Sequence, residues 1–447
     1  MTLIAKESTQ KWLPRQLSEL RKGGFGVFKK KVLRTYNRLH LRELANGIWA
    51  VPFVLLIRAL RPIVLMRLGT LYSSRIGHFA SDGAEQVARL QQQPPNTVDW
   101  FWLGPTCNSQ WECMIRRSLP VHSWAKYPDW WNRALPGGSA HERPSSYTGS
   151  RDVEGLYARH DVKIPFLPEE TAEALAWLRS KGWKDGEPFV CLLVRDSTYL
   201  ANVLLDGSPE AYELTAYHDY RDSDIDTYIP AIQWLSEQGV WVIRMGKLME
   251  KPLPTGMDHV IDYAFDAEKS DLLDIWLFAN CSGCISTGTG PDMVSLAYGV
   301  PLLFVNAIPL GGFWSFARNI WVPKPLRWVT SERLLSVREQ LLNSSMMGTE
   351  FEAAGISIVD LSSEEILASV QEFWQRHIGM WTDTPDDERR QRAFHDELAQ
   401  WRASHDELAQ WRGYSKGRHG WEHSDARAGA DWLRSLEQVG DDSTHQV

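Results

Sequence analysis

The chain has 447 residues, a formal net charge of −8, 43% hydrophobic and 23% charged residues, and 22 tryptophans. Single cores seldom grow beyond ~250–300 residues, so this length asks for two or three domains. A mean hydropathy of −0.33 excludes a polytopic membrane protein, and the composition excludes a wholly disordered or collagen-like chain. Trp suits cores, sugar-stacking platforms and membrane interfaces alike, so its abundance alone selects none of these.

The charge is unevenly spread. Residues 2–42 hold eleven Lys and Arg against Glu7 and Glu19, a net of +9, which leaves −17 for residues 43–447. Nucleic acid is not the expected partner of so acidic a body; a basic arm on it points to an anionic lipid surface or another polyanion. The segment 48–66 that follows carries Arg58, Arg61 and two prolines. Each Arg costs roughly 2.5–3.5 kcal/mol at a bilayer centre, so Ile48–Leu60 reads as a buried or interfacial helix rather than a span. The apolar stretch starts too far into the chain for a secretory signal. The cysteines, Cys107, Cys113, Cys191, Cys281 and Cys284, are few and odd in number, which suits a reducing cytosol.

Further along, Ile63–Arg67 reads as a strand, 68–79 as a loop and Asp82–Leu90 as a helix. Val98–Leu103 is a second strand and Asn108–Leu119 its helix. Residues 124–161, rich in Pro, Gly, Ser and aromatics, show no period and read as a long loop. A second series opens with a helix at Pro168. It continues through strands Phe189–Val194, Val240–Arg244, Val260–Asp262, Gly283–Ser286 and Pro301–Asn306, with helices at Asp226–Gln238, Asp271–Ala279 and Pro291–Tyr298 between them. Strand alternating with helix at this spacing predicts parallel α/β sheets. Helices near Ser331–Leu342 and Ser363–Arg376 follow. From about 381 the chain reads as an acidic tail, in which HDELAQWR at His395–Arg402 recurs at His405–Arg412. Two ten-residue copies are too few and too short for a solenoid.

Three stretches carry candidate chemistry. The turn Thr287-Gly288-Thr289-Gly290 joins a buried strand to a helix with Pro291 and Asp292 at its start, where backbone N–H groups suit a phosphate. It is neither a Walker loop nor a dinucleotide fingerprint, and an ordinary tight turn is an equal reading. Arg195 lies just after a strand, where open α/β sheets place ligand contacts, and Arg binds diphosphates in bidentate fashion. Arg244 and Lys247 follow the next strand end. For Arg221, pairing with a neighbouring Asp stands as an equal alternative. Asp222, Asp224 and Asp226 fail the calcium-loop pattern, and helix capping explains them better. Arg75-Ile76-Gly77-His78 puts a general-base candidate at the rim of the first sheet.

The ordered series Arg195-Asp196 with Tyr199, Tyr217-His218-Asp219-Tyr220-Arg221, Val242-Ile243-Arg244-Met245-Gly246, Ser286–Gly290, Pro301, Val305-Asn306 and Pro323-Lys324 resembles a group of bacterial glycosyltransferases of surface-polysaccharide clusters. The glycine turn is also similar to the donor loop of heptosyltransferases, and the Arg195 strand to the Arg motif of fucosyltransferases. The resemblance spans about residues 63–381. The turn departs from it, since Thr-Gly-Thr-Gly-Pro-Asp stands where Ser-Gly and apolar residues are expected.

The resemblance implies a GT-B-like α/β fold, two Rossmann-like domains facing across a cleft. The expected division is 1–45 basic arm, 46–165 acceptor domain, 166–345 donor domain, 346–380 helical segment and 381–447 tail. It implies transfer of a sugar from a nucleotide-sugar to a hydroxyl of a polysaccharide or lipid-linked glycan, with no metal and no cofactor beyond the donor. Another nucleotide-sugar enzyme, or a glycan-binding protein at the membrane, stays as an alternative. His78 with Arg75 is the expected catalytic pair. Arg195, Arg244, Lys247, Thr287, Gly288, Thr289, Gly290, Asp292 and Asn306 are the expected donor contacts, and Trp124, Trp130 and Trp131 the acceptor platform. The expected location is cytoplasmic, with the arm at the inner membrane at about 1 kcal/mol per basic residue.

Overall fold

A computed structural model describes residues 47–146, 156, 164–203, 216–312, 319–344, 348–412 and 426–442. The basic arm lies outside the described residues, as does most of the second half of 124–161.

The first part runs α1 (Ala50–Ala59), β1 (Leu65–Leu71), α2 (Ile76–Gln91), β2 (Thr97–Leu103), α3 (Ser109–Ser118), α4 (Lys126–Ala134) and β3 (Glu142–Arg143). The second runs α5 (Pro168–Ser180), β4 (Phe189–Leu193), α6 (Thr198–Val203), α7 (Ile229–Glu237), β5 (Trp241–Arg244), β6 (Val260–Ile261), α8 (Asp271–Asn280), β7 (Gly283–Ser286), α9 (Asp292–Ala297) and β8 (Leu302–Ala307). Beyond it come β9 (Asn319–Pro323), β10 (Leu326–Trp328), α10 (Val337–Leu342), α11 (Gly348–Ala353), β11 (Ile356–Ile358), α12 (Ser363–His377), α13 (Pro385–Arg412), β12 (Arg427–Ala428) and α14 (Ala430–Asp442).

The strands form two parallel sheets and one antiparallel pair, β10 with β11. The smaller sheet has the order β2-β1-β3. The larger has the order β12-β9-β8-β7-β4-β5-β6. Within it, β6-β5-β4-β7-β8 is the doubly wound order, with the chain reversing direction of travel between β4 and β7. Strands β4, β5, β7, β8 and β9 are buried along their whole length, as parallel strands covered by helices on both faces must be. This is an α/β architecture with two parallel sheets, as expected, although the small sheet has only three strands among the described residues.

Period-two alternation in the small sheet separates two environments. Leu71 and Phe101 join the large core with Phe79 of α2 and Trp111 of α3. Leu68, Met66, Trp100 and Trp102 point the other way and pack with Phe53, Ile57 and Ala125. So α2 and α3 cover the face toward the second half, while α1 and α4 cover the opposite face. Polar residues start several of the helices. Asn108 accepts from the Trp111 amide at 2.8 Å, and Ser336 and Ser362 form reciprocal caps with Glu339 and Glu365.

The structure departs from the sequence reading in three places. Helix α2 begins at Ile76, not near Asp82, so residues 75–78 are a helix start rather than a loop. Residues 126–134 are helix α4, not loop; Pro128 and the paired tryptophans mask its period. The segment after 381 is no detached tail. Phe394, Leu398 and Trp401 of α13 and Trp432 and Leu433 of α14 are buried in the large core, and β12 pairs with β9 as the edge strand. An ion-paired network ties this segment down, with Asp387 held by Arg390 and Arg434 and Asp383 by Arg376 and Arg427. Phe394→Ala is therefore expected to cost about 3–5 kcal/mol, as for other buried Phe. Chemical denaturation should show this as a lower midpoint.

Candidate functional site

In a doubly wound sheet, the loops on either side of the reversal point splay apart beyond the strand ends and leave a crevice. In the large sheet those loops follow β4 and β7, and they carry Arg195 and Thr287–Asp292. The Arg195 amide bridges them by donating to Thr287 Oγ1 at 3.1 Å. In the small sheet the equivalent position follows β1, the central strand, and carries residues 72–78.

The two positions meet. A Cβ added to Gly77 would lie 2.7 Å from Gly290 Cα, and one added to Gly290 would lie 3.1 Å from the Gly77 nitrogen. Backbone touches backbone there, and only glycine allows it. Gly288 has φ +76°, which supplies the left-handed step that turns the chain from β7 toward α9.

Cations gather on this turn. Arg221 is largely buried, and its Nη2 donates to the Gly288 carbonyl at 2.6 Å. Arg195 Nε donates to Asp222 Oδ1 at 2.7 Å, while its Nη2 is buried without a hydrogen-bond partner. Lys324, almost fully buried, donates to the Asp222 carbonyl at 2.6 Å and pairs with Asp360. Burial, and then the charge of Arg195, lowers the pKa of Arg221. Burial pushes Asp222 up to about 6 despite the Arg195 partner. Thr289 Oγ1 is also buried and unpartnered. Arg221 and Arg195 each bond to this turn, and with the buried Thr289 hydroxyl they are groups that can accept an anion.

Beside it, His78 leans edge-on against Tyr72, with ring centroids 4.9 Å apart. Partial burial, and then the Arg75 charge, lowers its pKa from the ordinary 6.5, so the imidazole is neutral at pH 7. A neutral imidazole can accept a proton.

Several expected site residues have other work. Asp292 is fully buried; its Oδ2 accepts from Ser286 Oγ at 2.7 Å and from the Thr289 amide at 2.8 Å. The carboxyl thus occupies the start of the six-residue helix α9 that the sequence reading left open to a phosphate. Asn306 is buried at φ +54°, donating to Ser223 Oγ and accepting from the Leu361 amide, so it braces loops behind the strand ends. Arg244 is buried within β5 and reaches toward β6, donating to the Lys251 carbonyl and pairing with Asp262. Lys247 is exposed and pairs with Asp271 at 3.7 Å. Asp271 also accepts from the Ser109 amide and hydroxyl, both at 2.7 Å, so Lys247 belongs to a second seam between the halves. Asp224 caps the turn before α7 by accepting from the Asp226 amide.

Trp124 and Trp130 lie on the opposite face of the small sheet. Trp124 packs on Phe53 and Trp100, and Trp130 on Trp102 and Tyr127. Trp131 sits on the same helix, α4, half-buried. None of the contacts described for these three joins them to the glycine turn. Conversely, Arg221, for which the sequence reading held pairing with a neighbouring Asp an equal alternative, bonds to the glycine turn, and Lys324, given no ligand role, lies behind Asp222. Both fell inside the quoted motifs, Tyr217–Arg221 and Pro323-Lys324, and that was the available signal.

No protein-family model and no curated protein matches the chain. Among solved structures it is similar to a glycosyl transferase family 9 protein from Veillonella parvula DSM 2008, with 10% identity, a TM-score of 0.33, and coverage of 55% of this chain and 82% of that one. It is also similar to E. coli ADP-heptose lps heptosyltransferase II, with 10% identity, a TM-score of 0.40, and coverage of 70% of this chain and all of the other.

Burial raises the Asp292 pKa from 3.8 to about 7. The folded state therefore binds the proton more tightly than the unfolded chain. This contribution to stability is complete below pH ~4 and is lost as pH rises through about 7. Asn keeps the acceptor but not the charge. Asp292→Asn is expected to remove that part of the slope, so the variant gains on the parent protein as pH rises from 4 to 8 in parallel denaturation curves.

Proposed function

We propose that the protein is a glycosyltransferase that moves a sugar from a nucleotide-sugar to a hydroxyl of a polysaccharide or lipid-linked glycan. The observation that carries this reading is the convergence of Arg195, with its buried and unpartnered Nη2, and Arg221 on the turn Thr287–Gly290, at the reversal point of one sheet and against that of the other. Negative charge develops on a diphosphate as it leaves the sugar, and fixed cations in a partly desolvated site stabilise that charge more than they stabilise the bound donor. Arg195, Arg221 and Lys324 are the candidate donors to it, with the Thr289 hydroxyl.

His78 stands next to the glycine contact and is neutral at pH 7, which supports its role as the base that takes the acceptor proton in an inverting transfer. Arg75 would keep it neutral. No metal or other cofactor is part of this proposal; the cations already present meet the charge requirement. The basic arm would hold the enzyme at anionic lipid, where a lipid-linked acceptor lies.

A thermal-shift screen against UDP-, GDP-, CMP- and TDP-sugars is expected to give stabilisation by one nucleotide class. Arg195→Ala and Arg221→Ala are each expected to weaken that binding tenfold or more, since a charge-assisted bond contributes about 1.5–3 kcal/mol. No stabilisation by any of the four would overturn the donor site, and donor breakdown without an acceptor would favour a hydrolase. For the base, the rate should fall on acidification through a pKa below 6.5. An acid limb that survives in His78→Ala would remove His78 from that role.

A further inference from the structure

Helix α1 is apolar on both sides. Ala50, Val54 and Ile57 are buried against the small sheet and α4. Ile48, Pro52, Leu55, Leu56 and Ala59 fall on the opposite side at three- and four-residue spacing, and all are exposed. Exposure runs from 50% for Trp49, through 54% and 55% for Leu56 and Leu55 and 64% for Ile48, to 73% for Ile63 just past the helix. The surface of a soluble protein scatters such residues singly; here they are contiguous.

Arg58 does not break this stripe. Its guanidinium turns inward and donates to the Asn132 side chain and carbonyl and to the Leu135 and Pro136 carbonyls. One of the two arginines that argue against a membrane span is thereby satisfied inside the protein, while Arg61, past the helix, is exposed. Trp124, partly exposed, flanks the stripe through its contact with Phe53.

We infer that α1 is an interfacial helix, which lays Ile48, Trp49, Leu55, Leu56 and Ile63 into the surface of an anionic phospholipid bilayer. Charge selects this occupant. The stripe directly follows the arm of net charge +9, and no carboxylate occurs in the sequence between Glu43 and Asp82, while the rest of the chain is strongly acidic. An anionic surface attracts this end and repels the remainder. Among the described residues no helix is long and apolar enough to cross a membrane, so α1 lies on the bilayer rather than through it. Trp suits such an interface because its ring is apolar and its N–H stays wet. The inference extends the lipid role proposed for the arm and does not depend on the transfer chemistry.

The test is co-sedimentation of the full chain with vesicles of phosphatidylcholine alone and of phosphatidylcholine mixed with phosphatidylglycerol. The parent protein is expected to partition onto the mixed vesicles. Leu55→Ser combined with Leu56→Ser is expected to lower that partition coefficient about tenfold or more, with an unchanged melting curve because both side chains face solvent. Unchanged partition of this variant, or no binding by the parent, overturns the inference. So does a change from dimer to monomer in sedimentation velocity with no change on vesicles, which would make the face a contact between copies. Deleting residues 1–45 separates the two lipid roles. If the deletion abolishes binding and the Leu pair leaves it intact, the arm alone anchors the protein and α1 does not. If the Leu pair lowers binding and the deletion does not, α1 stands without the arm.

Discussion

The contact between Gly77 and Gly290 is the constraint on which the rest of the arrangement depends. Gly290 lies in the turn beyond the reversal point of one sheet and Gly77 in the first turn of α2 beyond that of the other; a Cβ would clash at Gly77 and crowd the backbone at Gly290. Two parallel sheets can meet at those points only if their turns approach backbone to backbone. Packing of α2 against α9 and of α3 against α8 then follows, with Asp271 binding the start of α3 and the Tyr298 hydroxyl donating to the Ile164 carbonyl. Everything that could act on a ligand is measured from this contact: His78 one residue beyond Gly77, and Arg221 two residues before Gly290 through the Gly288 carbonyl.

The electrostatics of the turn follow from burial. Two guanidiniums this close repel each other, and desolvation raises the energy of both. Asp222 offsets part of this, but it is itself half-shielded from water and its pKa rises to about 6. Lys324 is paired with Asp360, and Asp196 and Asp219 also lie near Asp222, so the cluster mixes both signs of charge. Within it, Arg195 Nη2 and Thr289 Oγ1 are buried and without partners. Asp292 Oδ1, likewise buried and unpartnered, lies at the same turn, so orphaned donors and an orphaned acceptor occur together there.

The large sheet was legible because its strands are short apolar runs closed by Gly, Ser or Asp, such as Phe189–Val194 and Gly283–Ser286, and fully buried strands have that signature. Their ends gave Arg195 and the glycine turn correctly as neighbours. Side-chain direction was not legible. Arg244 ends a strand as Arg195 follows one, yet it points into the β5–β6 edge, where Nη1 bonds to Asp262 and a carbonyl while Nε stays buried without a partner. Asp292, at a helix start, and Asn306, at a strand end, were expected donor contacts, but each satisfies backbone groups that the loops would otherwise bury unpaired. The aromatic segment around Trp130 was misread for a different reason. Its helix carries Pro128, Asp129 and Asn132 on the buried side, where a periodicity search expects apolar residues.

The C-terminal segment makes the same point through geometry. Phe394, Leu398 and Trp401 are spaced i, i+4 and i+7, the signature of a helix with one buried face, and it was overlooked because the surrounding residues are charged. The duplication beside it is no structural repeat. Ten residues advance an α-helix by about 2.8 turns, so position 411 lies roughly 80° around the axis from position 401. In one continuous α-helix, matching positions of the two copies therefore lie on different sides of the axis. The first copy supplies the buried Leu398 and Trp401, and it secures α13 so that β12 can return to cover the free edge of β9. An uncovered parallel edge there would leave a row of unpaired backbone groups open to other chains. The segment that looked most dispensable in the sequence is the one that closes the sheet.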